Sequence, residues 1–199
     1  MMIWIKQGSI LNWNIYRGDI MLDDFIKFMA MPQDVVEKYR NMVPDELIQI
    51  WQNQGIGTFL GGYLKIINPE EYRDLLDSTY FRGDLAVPIF VTAFGDIITF
   101  EENRYLRLVK YKDGVFEIIL ENFLFFLKFL KDEDFQKDYF EIDLYKSALK
   151  QYGDLDYDYC FGFVPLLGLG GQKTVENIDK VKIKEHIYII SELVGNIGM

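Results

Sequence analysis

The chain has 199 residues, half of them hydrophobic and 16% aromatic, with 31 acids against 21 bases and a formal net charge of −10. That is enough apolar material for a continuous core, in one body or two small packed units, and it excludes global disorder. The acidity disfavours direct nucleic-acid binding, which rests on lysines and arginines neutralising phosphates, and is compatible with a basic protein partner or simply with a well-solvated surface.

Cys160 is the single cysteine, so no disulfide can form within the chain and a reducing compartment is expected. The opening Met1 to Gly8 lacks an apolar run long enough for a secretory leader. Phe123 to Leu130 is the most hydrophobic stretch, but Lys128 interrupts it and it falls far short of the roughly 20 residues that cross a bilayer. A cytoplasmic protein is expected.

Residues 1–18 read as an N-terminal appendage, with Trp4, Trp13 and Tyr16 able to dock it and several Gly, Ser and Asn residues weakening regular structure. From Asp19 to Ala30 the apolar residues Met21, Leu22, Phe25, Ile26, Phe28 and Met29 predict a helical face. Pro32 ends it and can begin a second short helix through Tyr39. Pro44 suits the first turn of a third, with Leu47, Ile50 and Trp51 on one side and Gly55 as its stop. Tyr63 to Ile67 follows as a short strand. Asn68, Pro69 and Glu71 then supply the N-cap, first-turn proline and capping-box acid of a helix that buries Tyr72, Leu75 and Leu76.

The period then changes. Ala86–Ala93, Ile97–Phe100, Tyr105–Tyr111 and Val115–Ile119 predict four strands joined by Gly95-Asp96, Glu102-Asn103 and Asp113-Gly114, a meander too tightly linked for parallel crossovers. Pro88 predicts an edge position or a bulge in the first of these. A helix over 121–130 is expected to lie between the sheet and a C-terminal unit. Residues 131–158 carry nine acids against four lysines, and helices are predicted over 142–151 and 184–194. The fold class is α+β: an antiparallel meander sheet flanked by helices, with a helix-rich C-terminal unit sharing the core. The expected divisions are 1–18, 19–120 and 121–199.

Asp154 to Gly171 is the densest stretch. It holds three alternating acids, four aromatics, Cys160, Pro165 and four glycines. If extended, it would present Asp154, Asp156 and Asp158 on one side, either solvated or converging on a basic side chain. Gly162 is expected to allow another backbone to approach. The spacing of the three acids opens a calcium loop, but Tyr159 and Pro165 stand where that loop needs glycine and glutamate. Gly168 to Thr174 fails as a phosphate loop because Gln172 precedes the lysine. His186 is the single histidine. With Cys160 it forms no zinc set or nucleophile signature, so His186 is expected at a helix boundary and Cys160 in the core. No catalytic residue, metal or cofactor is expected.

Tyr157 through Gly171, followed by Val175-Glu176-Asn177, Lys180-Val181-Lys182 and Glu185-His186, resembles the C-terminal domain of type VI secretion immunity proteins. Val43 to Leu47, Trp51, Gly55, Gly57, Leu64 through Tyr72 and Thr92 to Asp96 resemble the GAD-like domain that often precedes it. The resemblance implies a non-enzymatic protein that binds and neutralises a cognate, basic nuclease effector, with no direct nucleic-acid or membrane contact. Asp154, Asp156, Tyr157, Asp158 and Tyr159 are one expected contact face, and Asp132, Glu133, Asp134 and Asp138 the other. The alternative is an acidic scaffold or regulatory module. An RNA-related role is imaginable because the GAD-like domain takes its name from proteins that handle transfer RNA, although the net charge weighs against it.

Overall fold

The structure, a computed structural model, describes residues 20–198. The expected appendage at 1–18 lies outside them. Seven strands form one antiparallel sheet in chain order: β1 (Ile26–Met29), β2 (Ile56–Phe59), β3 (Leu64–Ile66), β4 (Ala86–Thr92), β5 (Ile97–Glu101), β6 (Tyr105–Lys110) and β7 (Val115–Leu120). The helices α1 (Gln33–Tyr39) and α2 (Asp45–Asn53) join β1 to β2, and α3 (Pro69–Thr79) joins β3 to β4. After the sheet come α4 (Phe123–Phe129), α5 (Glu133–Phe140) and α6 (Ile142–Tyr152). A two-stranded hairpin, β8 (Tyr159–Phe163) with β9 (Ile178–Lys182), leads into α7 (Ile183–Val194).

The predicted α+β meander is the observed architecture. Asn68 caps α3 by accepting from the Glu70 amide at 3.0 Å, with Pro69 beginning the helix. Glu102 and Asn103, both left-handed, are the central pair of the turn in the three-residue link between β5 and β6, closed by the Arg104 amide donating to the Glu101 carbonyl at 3.0 Å. Pro88 sits beside a register shift, so the bulge is present, but β4 lies inside the sheet between β3 and β5 rather than at an edge.

Four expectations are corrected. The helix over 19–30 is instead a turn and the edge strand β1. Its apolar spacing fits a helix, but long-range hydrogen bonds override local period. Gln54 brackets Leu22, accepting from its amide at 2.7 Å and donating to its carbonyl at 3.0 Å. Asp24, left-handed, accepts from Leu60 and Gly61. Gly57 completes the arrangement, since a Cβ there would lie 2.3 Å from the Ile26 carbonyl oxygen. Second, α4 buries Phe123, Phe126 and Leu127 but exposes Leu124, Phe125 and Phe129, because a two-turn helix has only one inward side. Third, His186 is buried rather than at a boundary, while Leu193 and Val194 of the same helix are exposed. Fourth, what approaches Gly162 is side chain, not backbone: a Cβ would meet Val181 Cγ2 at 2.5 Å and His186 Nε2 at 2.6 Å. Sequence reasoning also missed β2, α5 and β9.

Both faces of the sheet are covered, and the C-terminal unit contributes to each. One apolar core joins β-strand residues such as Phe90 and Ile98 to α1, α2, α4, α5 and α6 and to Phe161 and Phe163. The other joins Val91, Ile97 and Val109 to α3, α7 and Cys160.

A candidate partner-binding groove

Lys65 lies in β3, a single charge within the apolar run Tyr63 to Ile67, and its side chain is buried. Its ammonium reaches three main-chain carbonyls of the stretch that precedes and opens β8: Asp156 at 2.8 Å, Tyr157 at 2.8 Å and Tyr159 at 2.5 Å. An ammonium has three donors, so all are used. Burial draws its pKa down to about 8, against the pull of Cys160, Asp158 and Asp156. Of the two readings of the three acids, the solvated one is observed: a basic side chain lies beneath them but binds their backbone. The carboxylates are left to solvent.

This anchor explains the alternation at 154–159. Residues 154–158 form an irregular segment and a turn rather than a strand, and Tyr159 opens β8; Asp154, Asp156 and Asp158 are exposed and Leu155, Tyr157 and Tyr159 half-buried. Tyr157 donates to the Ile66 carbonyl at 2.6 Å and stacks on Phe28 of β1, with ring centroids 4.5 Å apart and planes within 7°. Lys180 fixes the start of the segment through the Asp154 carbonyl at 2.6 Å. None of the three carboxylates enters a salt bridge among the described residues.

Between this segment, β1 and the first turn of α3 runs an open groove of about 750 Å³. Asp156, Tyr157 and Asp158 line it, as do Ile26, Lys27, Phe28 and Met29; Asp154 and Tyr159 do not. Across it, Glu71 pairs with Lys184 at 3.7 Å. The second predicted set lies elsewhere. Asp132 caps α5 by accepting from the Phe135 amide at 2.8 Å, and Glu133, Asp134 and Asp138 are exposed on that helix, outside the groove. The structure thus gathers part of the first set with β1 and does not join the second to it. Sequence reasoning missed the β1 residues and Lys65. The lone lysine within an apolar strand was the available signal.

The groups capable of chemistry are otherwise engaged. The Cys160 thiol is fully buried and pushed up to about 12 by burial, the wrong direction for a nucleophile. Asp96 pairs with the buried Lys112 at 2.5 Å. Burial opposes the Lys112 charge, but Asp96, Glu141 and Asp113 together raise its pKa. Glu101 is held by Arg82 at 2.7 Å and Arg107 at 2.9 Å. Among the described residues no group of three or more His, Cys, Asp or Glu is placed to hold a metal ion, and no helix is long and apolar enough to cross a membrane.

Comparison with known families assigns both parts of the chain. The GAD-like domain matches residues 19–112, and the family described as "T6SS immunity protein Tdi1, C-terminal" matches residues 120–194. The chain is a GAD-like domain protein with a C-terminal type VI secretion immunity domain. The groove lies where these parts meet, with β1 and α3 from the GAD-like domain and residues 155–158 from the immunity domain. Among solved structures, that of Atu4351 from Agrobacterium tumefaciens superposes with a TM-score of 0.71 at 19% identity, covering 85% of this chain and 86% of the other. That likeness shows a shared fold. No curated protein matches the chain.

Proposed function

We propose that the protein binds and neutralises a cognate type VI secretion effector that is a nuclease, without chemistry of its own, in the cytoplasm where such a toxin would meet its target. The match of residues 120–194 to an immunity family carries this reading. The site supports it in kind. A nuclease carries positive charge because its substrate is a polyanion, and Asp154, Asp156 and Asp158 offer unpaired carboxylates on a segment whose backbone Lys65 holds rigid. Opposed fields speed encounter, while a half-buried aromatic such as Tyr157 supplies lasting contact.

The decisive experiment is co-purification with the product of the adjacent gene, followed by a nuclease assay with and without the complex. If the acidic segment is the contact, Asp154→Asn with Asp156→Asn slows association and flattens its salt dependence, and Tyr157→Ala chiefly speeds dissociation. Wild-type kinetics in all three variants, each confirmed folded, would move the contact elsewhere, with the acids of α5 the next face to test. Hydrolase activity of the purified protein that disappears with Cys160→Ala or His186→Ala would overturn the non-enzymatic reading.

A further inference from the structure

We infer that β1 is a docking edge, and that an extended, cationic segment of the effector adds to it as an eighth strand of the sheet. The inference rests on the immunity reading above and specifies how the partner is held.

β1 is the terminal strand. It pairs with β2, and no strand lies on its other side among the described residues. Such an edge presents unpaired amides and carbonyls that template another chain, and proteins usually blunt it. Here it is apolar and open: Ile26 is 69% exposed, Phe28 61% and Met29 48%. Three large apolar side chains left to water on a four-residue strand point to an occupant.

The surroundings state its chemistry. Phe28 is stacked on Tyr157, whose hydroxyl is tied to the Ile66 carbonyl, so the edge meets a fixed aromatic platform. Asp156 and Asp158 stand in the groove beside it without salt-bridge partners among the described residues, whereas Glu71 across the groove is already matched by Lys184. Lys27 of the strand itself is a third charge without a salt-bridge partner among the described residues, so two carboxylates stand against one ammonium; the balance around the platform is negative, and suits lysine or arginine on the incoming segment. Strand addition takes its affinity from main-chain hydrogen bonds and its selectivity from alternate side chains, which fits an edge with apolar Ile26 and Phe28 two residues apart. The net charge of −10 argues against a second copy of this chain as occupant. A second copy would bring its own Asp156 and Asp158 toward this pair, and like charges oppose association.

The test uses the full-length protein and, as probe, the separately purified product of the adjacent gene. Hydrogen exchange of the amides of residues 26–29 is measured alone and in the complex. Affinity is measured for wild type, for Ile26→Lys, which adds a repelling charge to the edge, and for Phe28→Ala, which removes the platform. Both positions are exposed, and thermal melts confirm the fold. Strand addition predicts at least about tenfold slower exchange at 26–29 and at least about tenfold weaker binding by Ile26→Lys, with a smaller loss for Phe28→Ala. A complex that forms with unchanged exchange there and wild-type affinity in both variants overturns the docking edge and leaves the immunity reading standing. Absence of any complex with the wild-type protein overturns both. A dimer of the protein alone that Ile26→Lys dissociates would show a second copy to be the occupant, and would also overturn the inference.

Discussion

From β2 to β7 each strand of the sheet pairs with its neighbours in the chain, and tight turns close most of those pairs, whereas β8 and β9 pair only with each other across the irregular residues 164–177. The first region is assembled from local contacts. The second has little local pairing and is held against the first by long-range ones: the Phe161 amide donates to the Ala93 carbonyl at 2.7 Å, Lys65 takes three carbonyls before and within β8, and Phe163 stacks on Phe94. Tyr145 of α6 donates to the Gly61 carbonyl at 2.8 Å, and Glu141 lies 3.6 Å from Lys112. The immunity domain is a distinct family unit in sequence, yet physically it is completed by the sheet.

The strongest way to break that comparison is to separate the regions. Residues 120–194 alone would lose Lys65, Ala93 and Phe94, and would expose Phe161, Phe163, Phe135 and Phe140, which now join the shared core. The fragment is expected to lack a cooperative melt and to aggregate. A sharp thermal transition with native-like near-ultraviolet dichroism would show that the domain stands by itself. Next in size is Lys65→Met in the intact chain. It keeps much of the apolar stem but leaves the carbonyls of Asp156, Tyr157 and Tyr159 without their donor, at a cost of about 3 kcal/mol in a denaturant melt. Local exchange at 156–160 should rise more than in the sheet. An unchanged midpoint would mean that water replaces the ammonium freely.

Gly162→Val sharpens the comparison inside the hairpin. The new side chain would collide with Val181 and His186, for an expected loss of about 1–3 kcal/mol. Asp156→Asn, on an exposed carboxylate, should stay within about 0.5 kcal/mol of wild type. Melts in the reverse order would remove Gly162 as a packing constraint.

The same contrast explains what the sequence made legible. The meander from β4 to β7 was readable because Glu102-Asn103 and Asp113-Gly114 are local turn signals and the apolar runs between them have strand length. The Asn68-Pro69 start of α3 was readable for the same reason. β1 was not, because what makes residues 26–29 a strand is Gln54, Leu60, Gly61 and Gly57, none of them near in sequence. The acids at 154, 156 and 158 were visible as a motif, but their chemistry was not. Only the fold places Lys65 under their carbonyls and Phe28 against Tyr157. The site was legible as composition and illegible as geometry, since a groove shared by two domains has no local signature.

The smallest predicted effect concerns His186, which faces Gly162 and helps close a narrow cavity with Lys112, Phe163 and Leu166. Burial lowers its pKa below the ordinary 6.5, so the folded protein holds the neutral ring. The unfolded chain binds a proton there as pH falls through 6.5, before the folded one does. The unfolded state therefore binds more protons in the window just below 6.5, and stability must rise with pH across it. The contribution is complete above 6.5 and is lost as pH falls through the folded pKa. His186→Asn, neutral throughout, should be less stable at pH 7.5 because it vacates buried space, yet its stability should decline less than wild type's between pH 7.5 and 5.5. Carboxylates titrate mainly below this range and are common to both proteins, so the difference between the two slopes isolates the ring. Parallel stability curves for the two proteins would mean that His186 is protonated equally in both states, and that its side of the hairpin opens to water more readily than its packing against Gly162 implies.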